Sequence, residues 1–265
     1  MMAQPGVALE ARSLVKRYRG VAAVDGVSLG VRGREVVGVA GLNGAGKSTL
    51  LMMLAGVLAP DSGSVLYRGV DIYGGGRAAT RRGGILRVGY VPQEIAAFPN
   101  LTAFDNLLFF AAAPAGGAVA PVGGIAAPAG GAASPKAAVQ EAAAMAGLSG
   151  KLGAKLSAMS GGMKRRLNIA AALVTRPEVL IMDEPTAGLD AKNRREIAAL
   201  IRELAAAGLA VVYTSHQAGE LERLSDMVLV IHEGRSVDGG VADELCARHG
   251  ARSIDDILCG LGGAT

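Results

Sequence analysis

A glycine-rich segment in the first quarter of the chain constrains its fold more than any other feature. It runs Gly41, Leu42, Asn43, Gly44, Ala45, Gly46, Lys47, Ser48, Thr49. The order Gly, four residues, Gly, Lys, Ser or Thr lets successive backbone N–H groups face one polyphosphate. The apolar run 36–40 before it predicts a buried strand, and the leucines after it predict a helix whose N-terminus attracts anions. The segment therefore predicts a nucleoside triphosphate site, with Lys47 at the β- and γ-phosphates and Ser48 as a Mg²⁺ ligand.

The composition favours a globular chain with little attraction for nucleic acid. Its 265 residues are enough for one large domain, or for one domain with a subdomain. The net charge is +4, and the basic clusters at 77–87 and 164–166 contain no interleaved aromatic residues. Because bases stack on aromatic rings in most nucleic-acid surfaces, we expect no nucleic-acid partner.

A seven-residue repeat, Pro-x-Gly-Gly-x-x-x, occupies the middle of the chain. Its units begin at Pro114, Pro121 and Pro128, within an uncharged stretch from 106 to 135. One proline and two glycines in every seven residues break a helix, and a bilayer tolerates no unpaired backbone groups. We therefore predict a surface loop over 114–135. With no spanning segment elsewhere, we expect the chain to be soluble by itself.

Several short apolar patterns predict the strands and helices around these features. Residues 7–31 alternate apolar and polar, which predicts short antiparallel strands at a sheet edge. Within them Tyr18 is either a half-buried strand aromatic or a ring that stacks on adenine, and its position favours neither. Strands are also predicted at 65–67, 86–91, 209–214 and 227–231, and an alanine-rich helix at 136–146.

Polar residues follow three of the predicted strands. Asp183 and Glu184 end the apolar run 179–182, Gln93 follows the strand 86–91, and His216 follows the strand 209–214. Ligands gather at the carboxyl ends of parallel strands. We expect Asp183 to hold Mg²⁺ and Glu184 to polarise an attacking water.

A second helix start with anion-binding character lies further along the chain. Ser160, Gly161, Gly162 and Met163, here called the signature segment, precede apolar residues at helical spacing. A simple N-cap by Ser160 explains the same pattern. Asp190 is predicted to cap the next helix, whose buried face begins at Ile197.

Together these motifs resemble the ATP-binding subunits of ABC transporters, over most of residues 7–240. The resemblance rests on the phosphate loop 41–48, the signature segment, and the run 179–184 followed by Pro185-Thr186-Ala187-Gly188-Leu189-Asp190. It implies an α/β fold: a P-loop NTPase core with a parallel sheet, a small antiparallel β-subdomain and an inserted helical subdomain at about 94–175. Residues 241–265 are expected to form a short helical tail.

The resemblance also implies roles for single residues. Glu184, His216 and Lys47 are expected to be catalytic, with Glu184 as the catalytic carboxylate and His216 at the γ-phosphate. Tyr18 is expected to stack on adenine. Gln93 is expected to bind the metal and to sense water, so the Mg²⁺ ligands are Ser48, Gln93 and Asp183. The remaining expected ATP contacts are the rest of the loop 41–49, the signature segment and Asp190.

The family resemblance predicts two protein partners. The signature segment of a second copy is expected to complete each ATP site, and a separate integral membrane permease is expected to bind after Gln93. The motifs look most like export-type members, which places the chain at the cytoplasmic face of the cell membrane. Met163 stands where the family usually has Gln, but the serine and both glycines that face phosphate are present.

Two alternative interpretations of the motifs stand beside this one. One is a non-transport member of the same superfamily, acting in translation or DNA repair, which usually carries two cassettes or a long coiled coil. The other is a P-loop kinase or GTPase, and no guanine-specifying Asn-Lys-x-Asp pattern occurs in the chain.

Overall fold

The computed structural model describes residues 6–74, 87–112 and 134–262. The strands of these residues, in chain order, are β1 (Val7–Tyr18), β2 (Val21–Arg32), β3 (Val36–Ala40), β4 (Ser62–Tyr67), β5 (Val70–Asp71), β6 (Val88–Val91), β7 (Val179–Met182), β8 (Ala210–Thr214), β9 (Met227–His232) and β10 (Arg235–Gly240). The helices are α1 (Lys47–Leu54), α2 (Ala103–Ala112), α3 (Pro135–Met145), α4 (Gly161–Leu173), α5 (Ala191–Ala206), α6 (Ala218–Leu224), α7 (Ala242–His249) and α8 (Ile254–Gly262).

A six-stranded sheet forms the centre of the molecule, in the order β10-β9-β3-β8-β7-β6. Its strands are parallel except β10, which pairs antiparallel with β9. Every residue of β3, β7 and β8 is buried, as expected for parallel strands with both faces covered. The loops that follow β3, β6, β7 and β8 therefore meet at one edge of the sheet, and these loops carry the phosphate loop, Gln93, Asp183 with Glu184, and His216.

A second, antiparallel sheet has the order β2-β1-β4-β5. The predicted antiparallel pairing is confirmed, and β2 lies at the edge of this sheet. The predicted short length was wrong, because β1 and β2 have 12 residues each, and β1 lies inside the sheet. Register shifts between β1 and β2, including one between Ala11 and Leu14, let the pair continue where a strict alternation would end. Ser13, inside this irregularity, has a positive φ of 46°.

Helices α2, α3 and α4 pack beside β6 and share one apolar cluster that includes Leu107, Val139 and Leu167. Thr102 caps α2, since the backbone N–H of Asp105 donates to its hydroxyl at 3.1 Å. Of the predicted loop 114–135, the part up to residue 133 lies outside the described residues. Its last two residues differ from the prediction: Ser134 caps α3, and Pro135 occupies the first turn, where its missing N–H is not needed.

The predicted tail consists of two helices, α7 and α8. Ile254 and Ile257 of α8 are buried against the main core. Within the described ranges, no helix combines the length and the apolar character needed to cross a bilayer.

Candidate nucleotide-binding site

The phosphate loop turns sharply at Gly46, the N-cap of α1. Gly46 has a φ of 98°, and a Cβ at this position would lie 2.1 Å from the carbonyl oxygen of Ala23 in β2. Only glycine fits this backbone at low cost. The cap has no side-chain hydrogen bond, so the first N–H groups of α1 remain available to an anion.

Lys47 lies in the first turn of α1 and is only 6% exposed. Its ammonium donates to the carbonyl oxygens of Gly41 at 2.8 Å and Leu42 at 3.0 Å. Burial lowers the pKa of Lys47, and the nearby carboxylates of Glu184 and Asp183 oppose that shift. The loop therefore holds a largely desolvated cation beside two carboxylates.

A surface depression of about 390 Å³ lies over the phosphate loop. Its lining combines residues from five segments: Ala23, 43–49, Gln93, Glu184 and His216. The fold thus gathers residues that sequence reasoning had singled out separately. Ala23 is an addition, and the sequence held no signal for it because its backbone arrives through the long β1–β2 pair.

Glu184, in the lining of this depression, is held in a constrained conformation. Its φ of 48° is in the left-handed region, which a non-glycine residue adopts only under constraint from its surroundings. Gln93 Nε2 donates to Glu184 Oε2 at 3.0 Å, and His216 Nε2 lies 2.5 Å from Glu184 Oε1. Both oxygens of one buried carboxylate are therefore fixed by the two polar residues that follow β6 and β8.

Thr214 holds the Asp183–Glu184 pair from behind, and the sequence analysis missed it. Its buried hydroxyl donates to Asp183 Oδ1 at 2.8 Å and accepts from the backbone N–H of Glu184 at 2.9 Å. The available signal was a hydroxyl at the end of the otherwise apolar strand β8. Asp183 is 4% exposed and does not line the depression, so it lies one layer below Glu184.

Thr214→Val is expected to lower the free energy of unfolding by about 2 kcal/mol, because it leaves a buried N–H and a buried carboxylate oxygen without their partner. ATP turnover should fall as well, since the backbone of Glu184 loses its anchor. Thr214→Ser keeps the hydroxyl and is the matched control. Urea unfolding and a steady-state ATPase assay measure the two effects, and equal stability of the two variants would contradict the assigned role.

The signature segment forms a different cluster, outside the lining of the depression. The Ser160 hydroxyl accepts from the N–H of Met163 at 3.3 Å and so caps α4, as the simpler prediction had it. A Cβ on Gly162 would lie 2.1 Å from Asn193 Oδ1 of α5, so the close approach of α5 requires glycine. Asn193 is itself held by Asp190, which caps α5. Ser160, Gly161 and Asp190 thus lie side by side at the start of two adjacent helices.

Tyr18 ends β1 and is 47% exposed, which is compatible with both of its interpretations. It pairs with Val21 across the turn between β1 and β2. It is not among the residues that line the depression, so its contact with adenine stays a prediction.

Comparison with known proteins decides the family. The ABC transporter family profile matches residues 24–187. The linearmycin resistance ATP-binding protein LnrL of Bacillus subtilis (strain 168) is 37% identical over 246 residues, which are 93% of this chain and 73% of that protein. The Nod factor export ATP-binding protein I of Paraburkholderia xenovorans (strain LB400) is 40% identical over 243 residues, or 92% and 74%.

The chain belongs to the ABC transporter ATP-binding family. Among solved structures, cbiO1 of Clostridium perfringens, part of the transporter complex cbiONQ, has a TM-score of 0.75 at 27% identity, covering 92% of each chain. The predicted α/β fold with a parallel and an antiparallel sheet is confirmed. The protein is an ATP-binding, ATP-hydrolysing subunit of an ABC transporter, and its export-type relatives favour transport over the non-transport alternative.

Family membership also sets expectations for cofactor and partners. The family supplies the ATP-binding subunits of transporters, and the similar cbiO1 is part of the transporter complex cbiONQ, so ATP and partner subunits are expected. The three candidate metal ligands offer a hydroxyl from Ser48, an amide oxygen from Gln93 and a carboxylate from Asp183. Oxygen donors of this kind suit Mg²⁺, which takes few protein ligands and completes its shell with phosphate and water.

Proposed function

We propose that two copies of this cassette bind two ATP molecules head to tail between them. Each site would combine the phosphate loop of one copy with the signature segment of the other. The observation that carries the proposal is the presence of two anion-binding helix starts in one chain, of which only the one at Gly46 lines the depression with Glu184. The start at Ser160 is left facing outward, where a second copy can reach it.

In each site, this chain's residues divide the chemistry among them. Backbone N–H groups of the phosphate loop and the Lys47 ammonium neutralise the phosphates, and Tyr18 stacks on adenine. Glu184 orients the attacking water and accepts its proton at a carboxylate oxygen. Gln93 and His216 keep that carboxylate in one orientation, and His216 also reaches the γ-phosphate. The cross-chain wall consists of the signature segment, with Asp190 beside it.

Ser48, Gln93 and Asp183 would hold Mg²⁺, which supplies neutralisation of the charge on the β- and γ-phosphates when bound. Asp183 is preorganised for this role because Thr214 fixes one of its oxygens.

We also propose a docking surface for the permease on the inserted helical subdomain, about residues 94–175. An exposed apolar patch formed by Phe98, Leu101 and Phe109 follows Gln93 in the chain. Each of these residues is at least 40% exposed. The Phe98 and Phe109 rings stack edge to face with centroids 5.1 Å apart. Buried Asn106 fixes the loop, because its side chain bonds both the N–H and the carbonyl of Phe98. Clustered exposed apolar side chains mark interaction sites.

This surface would hold the cassette at the cytoplasmic face of the membrane. Closing of the dimer on ATP and its release after hydrolysis would then move the permease, because Gln93 joins the ATP site to the segment that carries the patch.

The permease assignment predicts which protein co-purifies with the cassette. The tagged protein, purified from detergent-solubilised membranes, should carry a multi-span membrane protein in stoichiometric amount. A Phe98→Asp/Phe109→Asp double variant should lose that partner by about tenfold or more, since each change places a charge in an apolar contact. Its ATPase activity in the isolated cassette should remain.

Val237→Asp is the matched control, because Val237 is also exposed, at 39%, but lies on β10. It should retain the membrane partner. Recovery of ribosomes or nucleic acid in place of a multi-span membrane protein would contradict the transport assignment.

A further inference from the structure

Two buried polar side chains of α4 face the segment that carries Gln93. Arg165 is 4% exposed and Asn168 is 1% exposed. Arg165 Nη1 donates to the carbonyl oxygen of Pro92 at 3.2 Å, and Asn168 Nδ2 donates to the same oxygen at 3.1 Å and to that of Glu94 at 3.3 Å. The two residues are three apart on a helix, so they lie on one face, and both donate to the same short loop.

The loop that they hold connects directly to the catalytic carboxylate. Gln93 lies between the two carbonyl groups that accept these bonds, and its amide donates to Glu184 Oε2. Hydrogen bonds therefore join α4 to the backbone of the Pro92–Glu94 loop, and the Gln93 side chain of that loop is hydrogen-bonded to Glu184. Burial lowers the pKa of Arg165, and the charge of Glu184 opposes that shift.

Stability alone does not account for these side chains. Arg165 Nε and Asn168 Oδ1 are buried with no hydrogen-bond partner among the described residues. An unsatisfied buried polar atom destabilises a fold, so these two atoms offset part of the stabilisation that the bonds to the loop supply. Such atoms in a folded protein call for a functional explanation.

We infer that Arg165 and Asn168 are positioning residues that make the orientation of Gln93, and through it Glu184, depend on the position of the signature helix α4. The inference rests on the proposed head-to-tail dimer. The Ser160 end of α4 faces the ATP of the other copy, and Arg165, on the second turn, holds the Gln93 loop of its own copy. One rigid helix therefore links the two ATP sites of the dimer, so engagement at one site aligns the carboxylate at the other.

A kinetic and binding comparison tests this role. Arg165→Met should lower kcat about tenfold, the size of one lost charged hydrogen bond, while the Kd for a fluorescent ATP analogue changes less than about twofold. Arg165→Lys keeps a donor for the Pro92 carbonyl and should recover part of the rate. In a Gln93→Ala background, Arg165→Met should change kcat by less than about twofold, because its route to Glu184 is already removed.

Arg166→Met is the matched control. It removes the same charge from the same helix, but Arg166 bonds the Ala146 carbonyl and Glu196, away from the Gln93 loop. It should leave kcat within about twofold of the wild type. Asn168→Leu provides a second variant of similar volume that removes both the bonds and the unpaired oxygen, and it should also lower kcat with Kd unchanged.

The inference would be overturned if the effects of the Arg165 and Gln93 substitutions on kcat were independent of each other. If Arg165→Met and Gln93→Ala lowered kcat by factors that multiply, or if Arg165→Met raised Kd and left kcat unchanged, Arg165 would not act through Gln93. An equal mixture of Lys47→Ala and Ser160→Asp variants, assayed in parallel, separates the two proposals. No recovery of activity in the mixture would remove the head-to-tail dimer itself, whereas recovery alongside a multiplicative cycle would remove only the role of Arg165.

Discussion

Glu184→Gln is expected to lower ATP turnover by about 10²- to 10⁴-fold, the usual contribution of a general base. The amide has nearly the shape of the carboxylate and can still accept a hydrogen bond from Gln93, but it cannot take a proton from water. Because the phosphate loop and Lys47 are unchanged, ATP should bind with nearly wild-type affinity. The dimer closed by ATP should therefore persist, since the step that opens it is blocked.

Steady-state phosphate release measures the rate, and size-exclusion chromatography with ATP measures the dimer. Glu203→Gln is the control, because Glu203 is an exposed carboxylate on α5, remote in sequence from the loops that line the depression. It should hydrolyse ATP at the wild-type rate. A Glu184→Gln variant that turns over normally would exclude Glu184 as the base.

The geometry of Glu184 explains why this one residue should matter so much. Its left-handed backbone is held by Thr214 through the N–H group, and its two carboxylate oxygens are held by Gln93 and His216. Preorganisation of this kind removes the cost of orienting the base at the moment of reaction. Loss of any one support should reduce the rate less than loss of the carboxylate itself.

Local sequence patterns were enough to predict which residues meet at the carboxyl ends of the parallel strands. A phosphate loop after an apolar strand, and polar residues after three further apolar strands, must meet if the strands are parallel and neighbours. The central part of the sheet order, β3-β8-β7-β6, brings those four ends together. The residues of each strand predict that strand, and the right-handed crossovers common to parallel sheets place the strands side by side with their carboxyl ends together.

Long-range packing explains what the sequence did not reveal. The continuation of β1 past Ala11 depends on a bulge against β2, and the role of Ala23 depends on where that pair delivers its backbone. In the sequence, Thr214 resembles an ordinary strand end, and Arg165 resembles an ordinary surface charge. Their functions appear only when the partners, Asp183 and the Pro92 carbonyl, are brought next to them from positions 31 and 73 residues away.

Mixing two inactive variants should restore activity if each ATP site is shared between two chains. Lys47→Ala removes the phosphate-binding cation. Ser160→Asp keeps the cap of α4, because Asp and Ser cap helices about equally well, but it places a negative charge toward the γ-phosphate of the other copy. Each variant alone has two damaged sites per dimer and should be almost inactive.

In an equal mixture, half of the dimers contain one chain of each kind. Such a dimer has one intact site, formed by the unchanged Lys47 of one chain and the unchanged Ser160 of the other. Activity should therefore rise clearly above that of either variant alone, with about one quarter of the wild-type rate as its upper value, because the damaged second site cannot help to align the carboxylate of the intact one. Ser160→Asn is the control, since it caps α4 without adding charge and should lose less activity when alone than Ser160→Asp does. Activity that stayed at the level of the separate variants would show that Lys47 and Ser160 do not serve one site across the dimer, whereas recovery requires the head-to-tail arrangement, because no single chain in the mixture carries both residues intact.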